Sequence, residues 1–101
     1  MGRKENKVEA YLQSEVKRLG GFTRKIVYQG RAGSPDQWVF FPGGRLLIVE
    51  CKAEDGIVSP IQQAEINMLR TNGFEAHVVY TKQQVEDVLC HYEDLTPWTA
   101  P

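Results

Sequence analysis

Cysteine is scarce in this chain, and the two present, Cys51 and Cys90, form no CxxC pair. That argues against a disulfide framework or a cysteine-built zinc site, and fits free thiols in a reducing compartment. No apolar run reaches membrane length, and no signal-peptide core is visible. An excess of one charge is missing too: 12 Lys and Arg stand against 13 Asp and Glu, for a net charge of -1. The chain as a whole is therefore not a polycation that coats nucleic acid by bulk attraction, and any such binding must come from local patches. Repeats and low-complexity segments are absent as well. What remains is 101 residues of ordinary globular composition, 42% hydrophobic and 25% charged. One domain, with a real core and little to spare, is expected. The expected location is cytoplasmic, with no membrane partner.

The elements alternate. Val8, Tyr11, Leu12, Val16 and Leu19 have helical spacing over about 4 to 19, and Gly20 and Gly21 stop that helix. "FTRKIVYQ" (22–29) reads as a strand, "GRAGSP" (30–35) as a loop and "DQWVFF" (36–41) as a second strand. "PGG" is a tight hairpin connection to "RLLIVECKA" (45–53), whose apolar centre marks a central strand. Ser59, Pro60 and Gln62 spell a helix start with a cap, a proline at the first helical position and a capping-box partner. That helix is expected to run to about Asn72, followed by a strand at 75–81 and a helix at 82–92. The expected fold class is α/β, a mixed sheet of about four strands flanked by helices in the order αβββαβα. Residues 1–92 form the domain and "EDLTPWTAP" (93–101) a tail or arm.

The stretch "LIVECKAEDGIVSPIQ" (47–62) starts as an apolar strand and then carries Glu50 and Lys52. Strand side chains alternate between faces, so Leu46, Ile48, Glu50 and Lys52 share one face and Leu47, Val49 and Cys51 the other. The short hairpin makes strand 36–41 an antiparallel neighbour, which brings Asp36 beside Glu50 and Lys52. Two close carboxylates repel and resist desolvation, and a divalent cation relieves both. Hard oxygen ligands suit Mg²⁺ or Mn²⁺, which activates water and polarises phosphoryl oxygens. With a lysine beside it, the set suits phosphodiester hydrolysis.

"SPD" followed fourteen residues later by "ECK" resembles the Asp … Glu-x-Lys core of the PD-(D/E)XK nuclease superfamily. The longer stretch "GRAGSPDQWVFFPGGRLLIVECKAEDGIVSPIQQAEINMLRTNGFEAHVV" resembles the VRR-NUC family, virus-type replication-repair nuclease domains, from about Glu5 to about Leu89. In particular it resembles the small bacteriophage-encoded type, which would place it in the host cytoplasm. The resemblance implies a metal-dependent deoxyribonuclease. Asp36 and Glu50 match its metal-binding carboxylates, and Cys51 the residue whose backbone carbonyl completes coordination. Lys52 matches the catalytic lysine and Gln62 the glutamine that positions water or phosphate. Glu9 matches the remaining acidic position, with Glu5 and Glu15 on the same helix. Arg31 and Ser34 in the loop, and Arg45 on the hairpin, are candidates for DNA phosphate contacts. Small members of this family are associated with homodimers that cut branched DNA, four-way junctions included. Trp98 in the tail is a candidate for the dimer interface.

Each residue also has a plainer reading. An E-x-K on a strand is commonly an ion pair, and an Asp after Pro a turn residue. Gln62 fits a capping box, and Gln63 competes for its role. Glu9 fits a solvated helical face and Cys51 the core. His77 and His91 read as strand and surface-helix residues. The rival functional class is a non-catalytic nucleic-acid-binding module of the same fold, and a second rival is a structural dimer subunit. Cleavage with magnesium or manganese against EDTA discriminates these from a nuclease.

Overall fold

The computed structural model describes residues 4–93; residues 1–3, residues 94–101 with Trp98, and the side chains of residues 4–6, Glu5 among them, lie outside the described part. Helix α1 (Lys4–Arg18) buries Val8, Leu12 and Val16, one turn apart. The chain leaves it through Gly20 at φ +90°, a left-handed value that suits glycine at a helix end. There follow β1 (Phe22–Lys25), β2 (Gln37–Phe41), β3 (Arg45–Cys51), α2 (Pro60–Thr71), β4 (Glu75–Val79) and α3 (Lys82–Leu89). A 3₁₀ turn at Cys90–Tyr92 completes the described chain. The element order is the expected αβββαβα.

The four strands form one sheet in the order β1-β2-β3-β4. The first three pair antiparallel, and β4 runs parallel to β3, which requires the crossover that α2 supplies. Helices cover both faces. On one, α1 and α3 meet Val39, Leu47, Val49, Cys51 and Val79. On the other, Ile66 and Leu69 of α2 meet Leu46, Ile48, Ala76 and Val78. Strand β3 is therefore apolar on both sides through its centre, as its composition implies.

Strand β1 is shorter than the expected 22–29. Its partner β2 begins at Gln37, opposite Lys25, and one further bond runs from the Ile26 N–H to the Asp36 carbonyl. Upstream of Asp36 stands Pro35, which has no N–H to offer, and the loop turns away. β1 ends where its partner runs out.

Candidate active site

The register of β2 on β3 sets Gln37 opposite Val49. The residues one step beyond, Asp36 and Glu50, are therefore brought together at the same end of the sheet. The Asp36 backbone N–H donates to Glu50 Oε1 at 2.9 Å. The other carboxylate oxygen, Oε2, lies 3.3 Å from Lys52 Nζ and accepts from Gln62 Nε2, also at 3.3 Å. Glu50 is thus held at three points, although it is only 2% exposed. Burial pushes its pKa above the ordinary carboxylate value, and the charge of Asp36 pushes the same way. The Asp36 N–H and the Lys52 ammonium oppose that rise without cancelling it. The Asp36 carboxylate itself makes no hydrogen bond or ion pair among the described residues.

Gln62 unites two roles that the sequence sets in competition. Ser59 Oγ accepts from the Gln62 N–H, and Gln62 Oε1 accepts from the Ser59 N–H, both at 3.1 Å, so the capping box is present. Because Oε1 faces that N–H, the amide nitrogen is left facing Glu50. One side chain ties the start of α2 to the carboxylate.

Loop 26–36 is fixed from two sides. The Ser34 hydroxyl donates inward, to the Ile26 carbonyl at 3.0 Å and the Pro35 carbonyl at 3.3 Å. Gly33, at φ +98°, sits so close to α2 that a Cβ there would lie 2.7 Å from Ile61 Cγ2. Tyr28 donates to Glu65 Oε2 at 2.8 Å, with Arg31 3.7 Å from Oε1 of the same carboxylate. Burial and the Glu65 contact raise the Tyr28 pKa to about 12, so the phenol stays a donor. This Tyr28–Glu65 brace is absent from the sequence reading. Its partners are 37 residues apart, and neither position carries a local signal.

The other expected residues fall differently. Cys51 buries its side chain on the opposite face, in the cluster with Val49, while its backbone stays between Glu50 and Lys52. Glu9 belongs to α1, across the sheet from the Glu50 side chain. Val16 lies by Phe41 and Gln13 donates to Gln37 at 3.3 Å, so α1 runs toward its N-terminus in the direction of Asp36. Glu9, about 6 Å further on by helical rise, thus lies toward the site end of the sheet. It is half-buried and makes no hydrogen bond or ion pair among the described residues. Arg45 starts β3, so it stands roughly 17 Å from Glu50 by strand rise, at the opposite end of the sheet. There it lines a separate cavity of about 330 Å³ with Phe74, Glu75 and Tyr92. Among the described residues no three His, Cys, Asp or Glu side chains are grouped to hold a metal ion. A Mg²⁺-type ion does not need three: one or two carboxylates, with waters and substrate phosphate, are its usual set.

Comparison with known proteins agrees with the motif. Residues 2–83 match the family model described as the VRR-NUC domain. A protein of Acyrthosiphon pisum secondary endosymbiont phage 1, named "Putative nuclease p44", is 36% identical over 86 residues, which are 85% of this chain and 91% of that protein. A solved structure described as a VRR_NUC domain superposes with a TM-score of 0.84 at 36% identity, covering 90% of this chain and 99% of that one. A second, described as a VRR_NUC domain protein, has a TM-score of 0.64 at 22% identity and covers 98% of this chain and 95% of that one; it shares the fold.

Proposed function

Because the chain belongs to the VRR-NUC family of nuclease domains, we propose that it is a Mg²⁺- or Mn²⁺-dependent DNA endonuclease that acts as a homodimer on branched DNA such as four-way junctions. The observation that carries this reading is the anchoring of Glu50 by the Asp36 N–H, Lys52 and Gln62, beside an Asp36 carboxylate that has no hydrogen-bond or ion-pair partner among the described residues. The phage origin of a relative fits action in the host cytoplasm.

The donor set fits a hard divalent cation. Two carboxylates lie close enough for one to raise the pKa of the other, a repulsion that a bound cation removes. Asp36, Glu50 and the Cys51 backbone carbonyl would hold it, with Glu9 available at the same end of the sheet. Bound there, the ion would supply an activated water and polarise a phosphoryl oxygen. The protein supplies the rest. Lys52, its ammonium already directed at the site by Glu50, places positive charge where the phosphate gains negative charge. Gln62 fixes the Glu50 rotamer so that the carboxylate is set before substrate arrives. Arg31, exposed at the rim and only loosely paired with Glu65, is free to turn toward a DNA phosphate. Ser34, with its hydroxyl committed to two loop carbonyls, acts through the shape of the loop.

The test is cleavage of a four-way junction and of a matched linear duplex in magnesium, manganese or EDTA, with the mass of the protein in solution measured alongside. Junction cutting that needs the metal supports the reading. Cutting unaffected by EDTA removes the metal assignment, and equal cutting of both substrates removes the branched-DNA preference.

A further inference from the structure

Asp36 and Glu50 are held in different ways. The Glu50 carboxylate is anchored at three points, whereas the Asp36 carboxylate has no hydrogen-bond or ion-pair partner among the described residues. Where the Asp36 carboxylate stands is therefore set by its backbone. That backbone is bonded on both sides: the N–H donates to Glu50 Oε1 at 2.9 Å, and the carbonyl accepts from the Ile26 N–H at 3.0 Å. Ile26 and Asp36 are the two ends of loop 26–36, and Pro35 beside Asp36 is fully buried. Helix α2 grips this loop with one face, on which Ile61 and Glu65 lie one turn apart. Gly33 stands against the first: a Cβ there would lie 2.7 Å from Ile61 Cγ2 and 3.1 Å from the Ile61 carbonyl oxygen. At the second, Glu65 Oε2 accepts from the Tyr28 hydroxyl at 2.8 Å, with Arg31 3.7 Å from Oε1. The Glu65 side chain is only 15% exposed, a placement that costs free energy unless the carboxylate is hydrogen-bonded. An aliphatic residue would pack loop to helix without that cost but also without direction, whereas a hydroxyl–carboxylate bond fixes a distance and an angle. Gln62, on the adjoining face of α2, makes the contact to Glu50. One helix end thus registers both carboxylates, Glu50 through Gln62 and Asp36 through the loop.

We propose that Glu65 is a positioning residue: by holding Tyr28 it fixes loop 26–36 on α2 and keeps the Asp36 carboxylate in register with Glu50 for a shared divalent cation. This rests on the metal reading above, and it concerns affinity for the ion rather than the chemical step. Arg31 has a separate part. Its side chain is 69% exposed and more distant from Glu65, so it can leave for a DNA phosphate while Tyr28 keeps the loop in place.

The experiment uses the full chain and its Tyr28→Phe, Glu65→Leu and Glu65→Gln variants, with the Tyr28→Phe and Glu65→Leu changes also combined. Tyr11→Phe is the control, since it removes a like bond, from the Tyr11 hydroxyl to Glu86, on the other face of the sheet. Manganese is titrated into each protein without DNA, and the free ion is read by electron paramagnetic resonance. Tyr28→Phe and Glu65→Leu are each expected to weaken binding about tenfold, the usual loss when the support of a metal ligand is removed. The combined variant should lose no more than the worse single one, because the two residues act as one unit. Glu65→Gln keeps an oxygen for Tyr28 and, like Tyr11→Phe, should stay within about threefold of the parent. At saturating manganese, Tyr28→Phe should cut DNA within about threefold of the parent rate. Unchanged affinity in Tyr28→Phe, an equal loss in Tyr11→Phe or in Glu65→Gln, or cutting that stays depressed at saturating metal overturns the proposal. Hydrogen exchange in EDTA gives a readout that needs no metal. The Ile26 and Asp36 amides should exchange about tenfold faster in Tyr28→Phe, while the Val85 amide of α3 should keep its rate. If the parent binds no manganese and cuts in EDTA, the metal reading falls and exchange alone decides. Faster exchange confined to the loop ends then upholds Glu65 as the residue that positions Asp36, and unchanged exchange overturns it.

Discussion

Glu50 is buried, ionisable and anchored, and its stability and its chemistry pull in opposite directions. Its pKa in the folded chain is raised above the ordinary 4.5, first by burial and then by Asp36. A group shifted that way favours the fold below its unfolded pKa, and that contribution is lost as pH rises through the folded value. At neutral pH the ionised carboxylate is therefore a burden on the empty site. Glu50→Gln should melt higher than the parent at about pH 7 in EDTA, and the difference should shrink toward about pH 4. The same variant should lose cleavage while keeping most of its DNA affinity, and magnesium or manganese should raise the melting temperature of the parent alone. Thermal scans across pH, with and without metal, check all three; a Glu50→Gln chain that cuts normally would remove Glu50 from the site. Gln62→Glu isolates the second anchor. A glutamate keeps an oxygen for the Ser59 N–H but turns another oxygen toward Glu50 Oε2, where the amide nitrogen now stands at 3.3 Å. The cap should survive and cleavage should fall, which melting temperature and cutting rate on one sample would separate.

At the scale of elements, α2 is the part whose placement the site depends on. Its cap does two jobs, because Ser59 closes the helix end and orients the side chain that holds Glu50. Ser59→Ala should cost about 1 kcal/mol of stability, the usual value of a lost cap. In a domain of this size that is a melting shift of roughly 4 to 8 °C. Cleavage should fall further than stability alone explains, while Ser59→Asp, which also caps, should recover both. Thr81 caps α3 in the same way, accepting from the Gln84 N–H at 3.1 Å, but at a helix packed on the face of the sheet opposite the Glu50 side chain. Thr81→Ala should therefore show a similar melting loss without the excess loss of cutting. Equal effects of Ser59→Ala and Thr81→Ala on cleavage would detach the cap from the chemistry.

For the whole molecule the question is how so small a domain grips a branched substrate. A net charge of -1 provides no long-range attraction to DNA. Arg45, one of the expected phosphate contacts, stands at the far end of the sheet from Glu50. A second copy would double the exposed basic side chains and set two sites on one two-fold junction. Light scattering at micromolar concentration is expected to give a dimer for the full chain and a weaker one for a chain ending at Glu93, which lacks Trp98. A monomer that cuts junctions symmetrically would overturn this. Mixing in an excess of Glu50→Gln chains gives a second check: a dimer that needs both sites should keep paired cuts only as the square of the active fraction, a steeper fall than the proportional loss of independent monomers.

The order of elements, the central position of β3, the two faces of its side chains and the cap at Ser59 were all legible in the sequence. Each is written in local patterns, a period of two or of 3.6 and a few turn residues, that do not depend on distant parts of the chain. The pairing of Asp36 with Glu50 was legible for the same reason, because a short hairpin fixes register. What folding alone decided is everything that joins segments without a common period. The Tyr28–Glu65 brace and the end of β1 at Lys25 depend on how loops cross the sheet edge. So do the position of Glu9 across the sheet and the distance of Arg45 from the site. The double duty of Gln62 is the clearest case: the sequence offers it as a cap or as a site residue, and the packing of α2 against the end of β3 lets one amide be both.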